Sequence, residues 1–451
     1  MDAPTSPQPA ESWPRGSPGY EEARAEAIWN KRLDRSASPD AIVRCTSEAD
    51  VVEAVMRAGR GGSQVALRGS GHSYIAAPLR DEGLLLDLGG LDFIEIDADA
   101  LTARVGPGAR GKDLIAALEE VGLAFPIGHC STVALGGYIL SGGIGWNCGA
   151  WGAACHNIHA VELVTAAGER LTASETENAD LLWAARGAGC GFFAAVTAYH
   201  LDLHPQPLAA WLWTGSFTAA SAPVLADWLT TATAAADPSA EIMCLIGRDL
   251  HSGEPSITIR AVCTGQDEDE AAARVAAFRS PPKDAEPTGP AEERGLAFHE
   301  LTRLSAMPDG KRVAADQSWS EAAVGDLLLA VVHLAGIASA MSTINIVSPG
   351  GRGRIPGIPE LPGALSVGGG VSCGIYAMWD DEADDALHLD WVRQADAALA
   401  PFRTGRYIGE ADLTAGPDRL AECFSAEALS RLQSLRGEWD PDGRFHGWPG
   451  A

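Results

Sequence analysis

Two glycine-rich turns limit what this chain can fold into. The first, Arg68-Gly69-Ser70-Gly71-His72-Ser73-Tyr74, follows directly on a short apolar run over residues 64–68. The second runs Gly128-His129-Cys130-Ser131-Thr132-Val133, then Gly136-Gly137 and Gly142-Gly143-Ile144-Gly145. Glycine reaches backbone angles closed to other residues and lets the main chain come close to a ligand. A turn of this kind at a strand end fans its amides into a concavity that holds anions. It does not match the dinucleotide fingerprint G-x-G-x-x-G, and no helix pattern follows it, so alone it is a weak pointer to a phosphate-bearing ligand. A lone histidine beside glycines is ordinarily a hydrogen-bonded side chain, and a lone cysteine ordinarily a small hydrophobe. Here one of each, His72 and Cys130, is embedded in the two turns.

Around the turns the patterning alternates between strand and helix. Residues 41–45 and 64–68 read as strands. Ser47 to Asp50 is a capping box opening a helix to about residue 59. Short strands are predicted at 84–88, 93–97 and 101–105, a helix at 112–120, strands at 160–167 and 192–203, and a helix at 178–185. This rhythm indicates an α+β or α/β domain. After His204-Pro205 the pattern changes. Strands near 209–217, 241–247, 256–264 and 366–379 are separated by long helical stretches, which predicts an antiparallel sheet covered by helices. Residues 1–20, rich in Pro, Ser and Gly, read as a mobile arm, and residues 21–33 as a helix. The expected organisation is an N-terminal arm and helix over 1–35, a first domain over 36–205, a second over 206–404 and a closing segment over 405–451.

Net charge is −27, from 33 basic and 60 acidic side chains. A surface of that sign repels phosphate backbones and excludes a nucleic-acid partner. Nine cysteines without C-x-x-C pairs give no disulfide framework. No secretory signal and no membrane-spanning apolar run is visible, so a cytoplasmic protein is expected. Cys155, His156 and His159 fit no zinc spacing, and no metal is expected.

The order and spacing of both turns resemble flavoproteins of the vanillyl-alcohol oxidase superfamily, in particular its berberine-bridge-enzyme-like branch. The family pattern Arg-x-x-Gly-His-(Ser/Asp) falls on Arg68 to Ser73, and Gly-x-Cys-x-Thr-Val with its following glycines falls on Gly128 to Gly145. The stretch from Asp180 to Phe193 resembles the family's Asp-Leu-x-Trp-Ala-x-Arg-Gly-Gly-Gly-Gly-Asn-Phe, with Gly187, Gly189 and Gly191 expected to lie against a cofactor. Tyr407 to Glu410 and the helix ending in Asp440-Pro441 resemble the family's closing segment. The resemblance implies an α+β fold: a two-subdomain FAD-binding domain of the p-cresol methylhydroxylase type plus a substrate domain with an antiparallel sheet covered by helices. It also implies FAD bonded at two points, through His72 to the 8-methyl carbon and through Cys130 to C6, with His129 as a neighbour able to favour the thiolate. Further cofactor contacts are implied at Arg68, Gly69, Ser70, Gly71, Ser73, Thr132, Val133, Gly136, Gly137, Ser141, Gly142, Gly143, Asn157 and Ile158. The chain departs from the family at Tyr138, His156, Phe192 and around Asn147 to Ala153.

The implied activity is that of an FAD-dependent oxidase. Hydride leaves a CH–OH or CH–NH carbon of a small-molecule substrate, and molecular oxygen is reduced to hydrogen peroxide. A small Val133 at its position is associated in the family with oxygen access. The proton step falls to Tyr407, Glu410, Tyr376 or Tyr138, with Tyr407 favoured and Trp379 and His333 as further substrate contacts. A free tyrosine is a poor base at neutral pH and needs a neighbouring carboxylate or cation. Two other readings stay open: a flavin dehydrogenase using a quinone or other acceptor, and a non-catalytic flavin- or ligand-binding protein. Substrate identity and oligomeric state are not legible.

Overall fold

The computed structural model describes residues 10–32, 36–305, 308, 310–349 and 361–450. Strands β1 (Glu11–Pro14), β2 (Ala41–Arg44), β3 (Val65–Arg68) and β4 (Leu84–Asp87) form a first sheet in the order β1-β2-β4-β3. β4 runs parallel to both β2 and β3. Its core strands are continuous apolar runs because both faces are covered. Ala41, Val43, Leu84 and Leu86 pack to one side, with the helix Glu48–Gly61, while Ile42 and Leu85 pack to the other. The capping box is present: Ser47 accepts from the Asp50 amide, and Asp50 accepts from the Ser47 amide at 2.9 Å. Such a cap stabilises a helix by about 1 kcal/mol.

β5 (Ile94–Asp97), β6 (Thr102–Val105), β8 (Ile158–Val164), β9 (Arg170–Ser174) and β10 (Ala195–Asp202) form an antiparallel sheet in the order β5-β6-β10-β8-β9, while β7 (Leu123–Ala124) pairs with β11 (His204–Pro205). The rest builds one antiparallel eight-stranded sheet. Its strands are β12 (Ala209–Thr218), β13 (Glu241–Arg248), β14 (Pro255–Gly265), β15 (Glu292–Leu296), β16 (Arg312–Ser320), β17 (Thr343–Ser348), β18 (Val371–Trp379) and β19 (Arg403–Arg406). They lie in the order β15-β12-β14-β13-β17-β18-β16-β19. Helices Ala222–Ala234, Val324–Val331 and Asp385–Leu399 cover one face, burying Leu225, Leu229, Leu327, Leu328 and Trp391 against it. The other face turns toward the first two sheets. One hydrophobic cluster runs from Val105 and Phe193 through Leu212 and Met243 to Leu432 and Trp448, so the second sheet and the large sheet share a core, while the first sheet packs in separate clusters. The chain end returns to the beginning: Val65 donates to Arg444 O and His446 donates to Val65 O, beside β3. Among the described residues no helix is long and apolar enough to cross a membrane.

Three expectations are corrected. Residues 10–20 are not a mobile arm, because β1 pairs with β2 and Tyr20 is buried, its hydroxyl donating to Pro39 O; residues 1–9 lie outside the described residues. The helix predicted over 21–33 spans only Tyr20–Glu26. Beyond it the backbone is used for docking: Trp29 N–H donates to Gly71 O, and Asn30, fully buried, bonds both backbone groups of Val313. Residues 33–35 lie outside the described residues. Finally, β15, β16, β17 and β19 were not read from sequence. β16 carries Asp316-Gln317-Ser318 at its centre, a polar stretch that interrupts any alternation yet is buried throughout.

Candidate functional site

The two glycine turns and the free face of the large sheet enclose a cleft of about 510 Å³. One wall is made by residues 68–75, 128–130, 133–134, 136–138 and 140–141. The opposite wall follows from strand periodicity. Alternate residues point the same way, so Met243 and Leu245 of β13, Thr343, Asn345 and Val347 of β17, and Ser372, Gly374, Tyr376 and Met378 of β18 all line the cleft. The register places them in rows. Arg260, Met243, Val347 and Ser372 are successive cross-strand partners, as are Leu245, Asn345, Gly374 and Gln317.

His72 and Cys130 meet on the first wall. His72 Nε2 is 3.1 Å from Thr132 Oγ1, and Cys130 Sγ is 3.3 Å from the same oxygen. His72 Nδ1 is 3.0 Å from Ser70 Oγ, which accepts the Ala134 N–H at 2.8 Å and ties the two turns together. Gly71, with φ +77°, brings the turn so close to Ala27 O that a Cβ would sit 2.6 Å from it. Gly136 is pressed on Pro107, whereas a Cβ on Gly137 would meet nothing within 4 Å; its open side belongs to the cleft.

The remaining implied contacts sort by position. Gly69, Ser73, Val133 and Ser141 line the cleft. Arg68 lines it too, but its guanidinium is turned to Asp87 (2.8 Å), Glu26 O and Ala27 O. Gly142 and Gly143 lie behind the wall, and the Gly143 N–H donates to Tyr407 Oη at 3.1 Å. Asn157 and Ile158 do not reach the cleft. Asn157 donates to Trp151 O and Ala153 O and bonds His204 Nε2 through Oδ1, while the Ile158 carbonyl accepts from Arg186. Gly187 and Gly191 are glycine for packing within the chain: a Cβ would fall 2.3 Å from Leu365 N and 2.1 Å from the Trp448 ring, respectively. Gly189 does line the cleft. Among the described residues no His/Cys/Asp/Glu group of three or more could hold a metal ion.

Tyr138, Tyr376, Tyr407 and Glu410 all line the cleft. Tyr138 donates to Pro126 O at 3.0 Å. Tyr376 donates to Glu410 Oε2 at 2.5 Å. Burial raises the Glu410 pKa, against the pull of the Tyr376 hydroxyl and the His129 charge. Tyr376 is pushed well above the ordinary phenol value by burial and by Glu410. Trp379 and His333, expected to touch substrate, do not line the cleft. Trp379 stacks on His388 and donates to Asp385 at 2.8 Å, and His333 is exposed on the helical side.

Sequence reasoning missed Glu241, the first residue of β13. Its Oε1 reaches across to His129 Nε2 at 2.6 Å, and His129 packs edge-on against Trp146. Burial disfavours the imidazolium, but the Glu241 carboxylate outweighs it and Glu410 adds to the effect, so the His129 pKa is raised. The available signal was a carboxylate heading an otherwise apolar strand, Glu241-Ile-Met-Cys-Leu-Ile246.

A cleft walled on one side by amide-rich turns and on the other by an amphipathic sheet suits a cofactor with a pyrophosphate and a flat ring. The residues present fit FAD. Such a site on this fold defines a flavin-dependent oxidoreductase. Residues 39–174 match the family model described as an FAD binding domain. The chain is 28% identical over 439 residues to the FAD-linked oxidoreductase janO of Penicillium janthinellum, covering 95% of this chain and 94% of that one. It is 29% identical over 447 residues to (R)-6-hydroxynicotine oxidase of Paenarthrobacter nicotinovorans, covering 93% and 92%. Its fold matches that of BBE-like 1 from Physcomitrella patens with a TM-score of 0.83 at 22% identity, covering 98% and 97%. The chain thus carries an FAD-binding domain, is similar along nearly its whole length to FAD-linked oxidoreductases, and has the fold of the berberine-bridge-enzyme-like proteins.

Proposed function

We propose that this FAD-dependent oxidase acts on a CH–OH or CH–NH carbon bound against the large sheet, with its flavin bonded to both His72 and Cys130. The observation that carries the two-point attachment is the shared contact with Thr132 Oγ1, which sets an imidazole and a thiol side by side on one wall. Gly69 to Ser73 supply amides for the pyrophosphate, and Val133, Gly136, Gly137 and Ser141 flank the cofactor. FAD, when bound, accepts hydride from the substrate carbon and passes the electrons to oxygen, which leaves as hydrogen peroxide.

The chain supplies the proton chemistry. Tyr376 presents its hydroxyl to the cleft and hands its own proton to Glu410 as it takes one from the substrate O–H or N–H, so phenolate never accumulates. The raised Glu410 pKa brings the carboxyl closer to the range in which it exchanges a proton in neutral solution. Tyr407, favoured by sequence, acts as a positioning residue: its hydroxyl accepts the Gly143 N–H, and its ring packs edge-on to Trp319. Val133, small and on the cleft wall, leaves oxygen a path.

Peptide mapping by mass spectrometry tests the attachment. The expected result is flavin mass on the peptides carrying His72 and Cys130. H72A and C130A should each keep acid-precipitated protein yellow through the other bond, while the double variant releases its flavin. Acid-released flavin with both side chains unmodified in the wild type would refute two-point attachment.

A further inference from the structure

Arg260 stands in the middle of β14 and lines the cleft beside its cross-strand partner Met243. It is half-buried. Among the described residues, one of its five N–H donors has a partner: Nη1 donates to Leu304 O at 2.9 Å. Among the described residues no carboxylate lies within ion-pair distance of it. The other charged groups on this side of the cleft are served, Glu241 by His129 and Glu410 by Tyr376. Burial lowers the Arg260 pKa, and the more distant Glu292 only partly offsets this. A half-buried guanidinium that lines the cleft with no counter-charge among the described residues keeps donors free for a ligand, and its planar fork matches a carboxylate in two-point geometry. Its neighbours across the sheet are Met243 on β13 and Thr214 on β12, and Leu304, whose carbonyl it binds, is apolar.

We infer that Arg260 binds a carboxylate on the substrate, and that the substrate is an extended, largely apolar acid oxidised at its far end. The length follows from the sheet. From β14 across β13 and β17 to β18, which carries Tyr376, there are three interstrand steps, roughly 14 Å at the usual spacing. A small alcohol cannot touch both ends; a molecule of several rings can. The charge argument also holds globally. A protein of net charge −27 repels free anions, so an unmatched arginine inside the cleft is a local inversion that rewards the substrate's own charge. This inference rests on the cleft being the oxidation site proposed above.

The test reads binding rather than turnover. Holoenzyme is titrated calorimetrically with a para-hydroxymethyl biphenyl carboxylate and with its neutral carboxamide. Expected is a preference for the carboxylate of about tenfold or more, the scale of a charge-assisted hydrogen-bonded pair. The preference should disappear in R260Q and persist in part in R260K. Equal binding of the two probes to the wild type, or an undiminished preference in R260Q, overturns the inference. Should R260Q not fold, the wild-type ratio and its decline with added salt decide the matter. Carboxylate selectivity without oxidation of either probe or of other alcohols and amines would sink the oxidase reading and leave Arg260's role standing; oxidation of neutral alcohols without carboxylate selectivity would do the reverse.

Discussion

Tyr376 Oη lies 2.5 Å from Glu410 Oε2, joining β18 to the turn that follows β19. The phenol is held protonated by burial and by the carboxylate beside it, while burial raises Glu410. Glu410 is therefore the more acidic member of the pair, and only its ionised form can accept the relayed proton. Activity should rise with pH along a limb displaced above the ordinary carboxyl value of 4.5. E410Q should lower kcat by about 10²–10⁴-fold and abolish that limb. Y376F should lower kcat by about 10²–10⁴-fold as well while leaving flavin content intact. An unchanged acid limb in E410Q would assign the proton step to another group.

Gly374 makes that geometry possible. It lies on the same face of β18 two residues before Tyr376, and the tyrosine ring folds back over it. A Cβ at 374 would sit 2.6 Å from Tyr376 Cε2 and 2.7 Å from its hydroxyl, closer than real contacts allow. G374A should push the ring off Glu410 and bring kcat down toward the level of Y376F, with flavin absorbance retained. Steady-state kinetics beside the flavin spectrum reads both, and a variant with wild-type kcat would show that the ring is not confined by this glycine.

The contrast between His72 and Arg260 shows how far the sequence carries. His72 and Cys130 were singled out because the two glycine turns that carry them resemble family motifs; the turns by themselves were a weak pointer, and the structure places both side chains against Thr132. Tyr376 and Glu410 were visible as candidates, but their pairing was not, since it depends on β16 lying between β18 and β19. Glu241 and Arg260 are single charges in apolar strands, and their meaning appears only when register fixes which face each one takes. Strand Arg312–Ser320 was not read as a strand, its centre being the polar run Asp316-Gln317-Ser318. Burying it requires arginines from residues 406 and 419, far along the chain. Trp379 was expected as a substrate contact, yet it packs against His388 and bonds Asp385 instead.

The pair His129–Glu241 bridges the second glycine turn and β13 at 2.6 Å and should make stability depend on pH. Burial alone would lower the histidine, and the carboxylate overcomes it, so the folded pKa lies above the ordinary 6.5. A histidine raised on folding contributes its stabilisation fully below 6.5 and loses it as pH climbs through the raised value. Thermal melts should therefore show Tm falling as pH rises from about 6.5 through that window. E241Q should flatten this slope and cost about 1–3 kcal/mol on its acid side, where the partner charge matters most. A slope identical in E241Q and wild type would place the titration elsewhere.

Asp316 and Arg406 are each only 2% exposed and meet at 3.0 Å, beneath the floor of the cleft. Asp316 also accepts from the amides of Gln317 (3.0 Å) and Asp412 (3.3 Å) and from Arg419, while Arg406 reaches Asp396 and Glu422. The cluster brackets the site: Gln317 follows Asp316, and Tyr407, whose amide donates to Gln317 O, follows Arg406. Removing one partner leaves an uncompensated buried charge, so D316N should destabilise the protein by about 3–5 kcal/mol in chemical denaturation. The loss should not stop at stability. With the turn from Tyr407 to Ala411 less firmly held, Glu410 is presented less accurately to Tyr376, and kcat should fall at a temperature where D316N is still folded. KM for a substrate held chiefly by β13 and β14 should change little. A D316N enzyme with lowered Tm but wild-type kcat would reduce the network to a purely structural tie between β16 and the C-terminal segment.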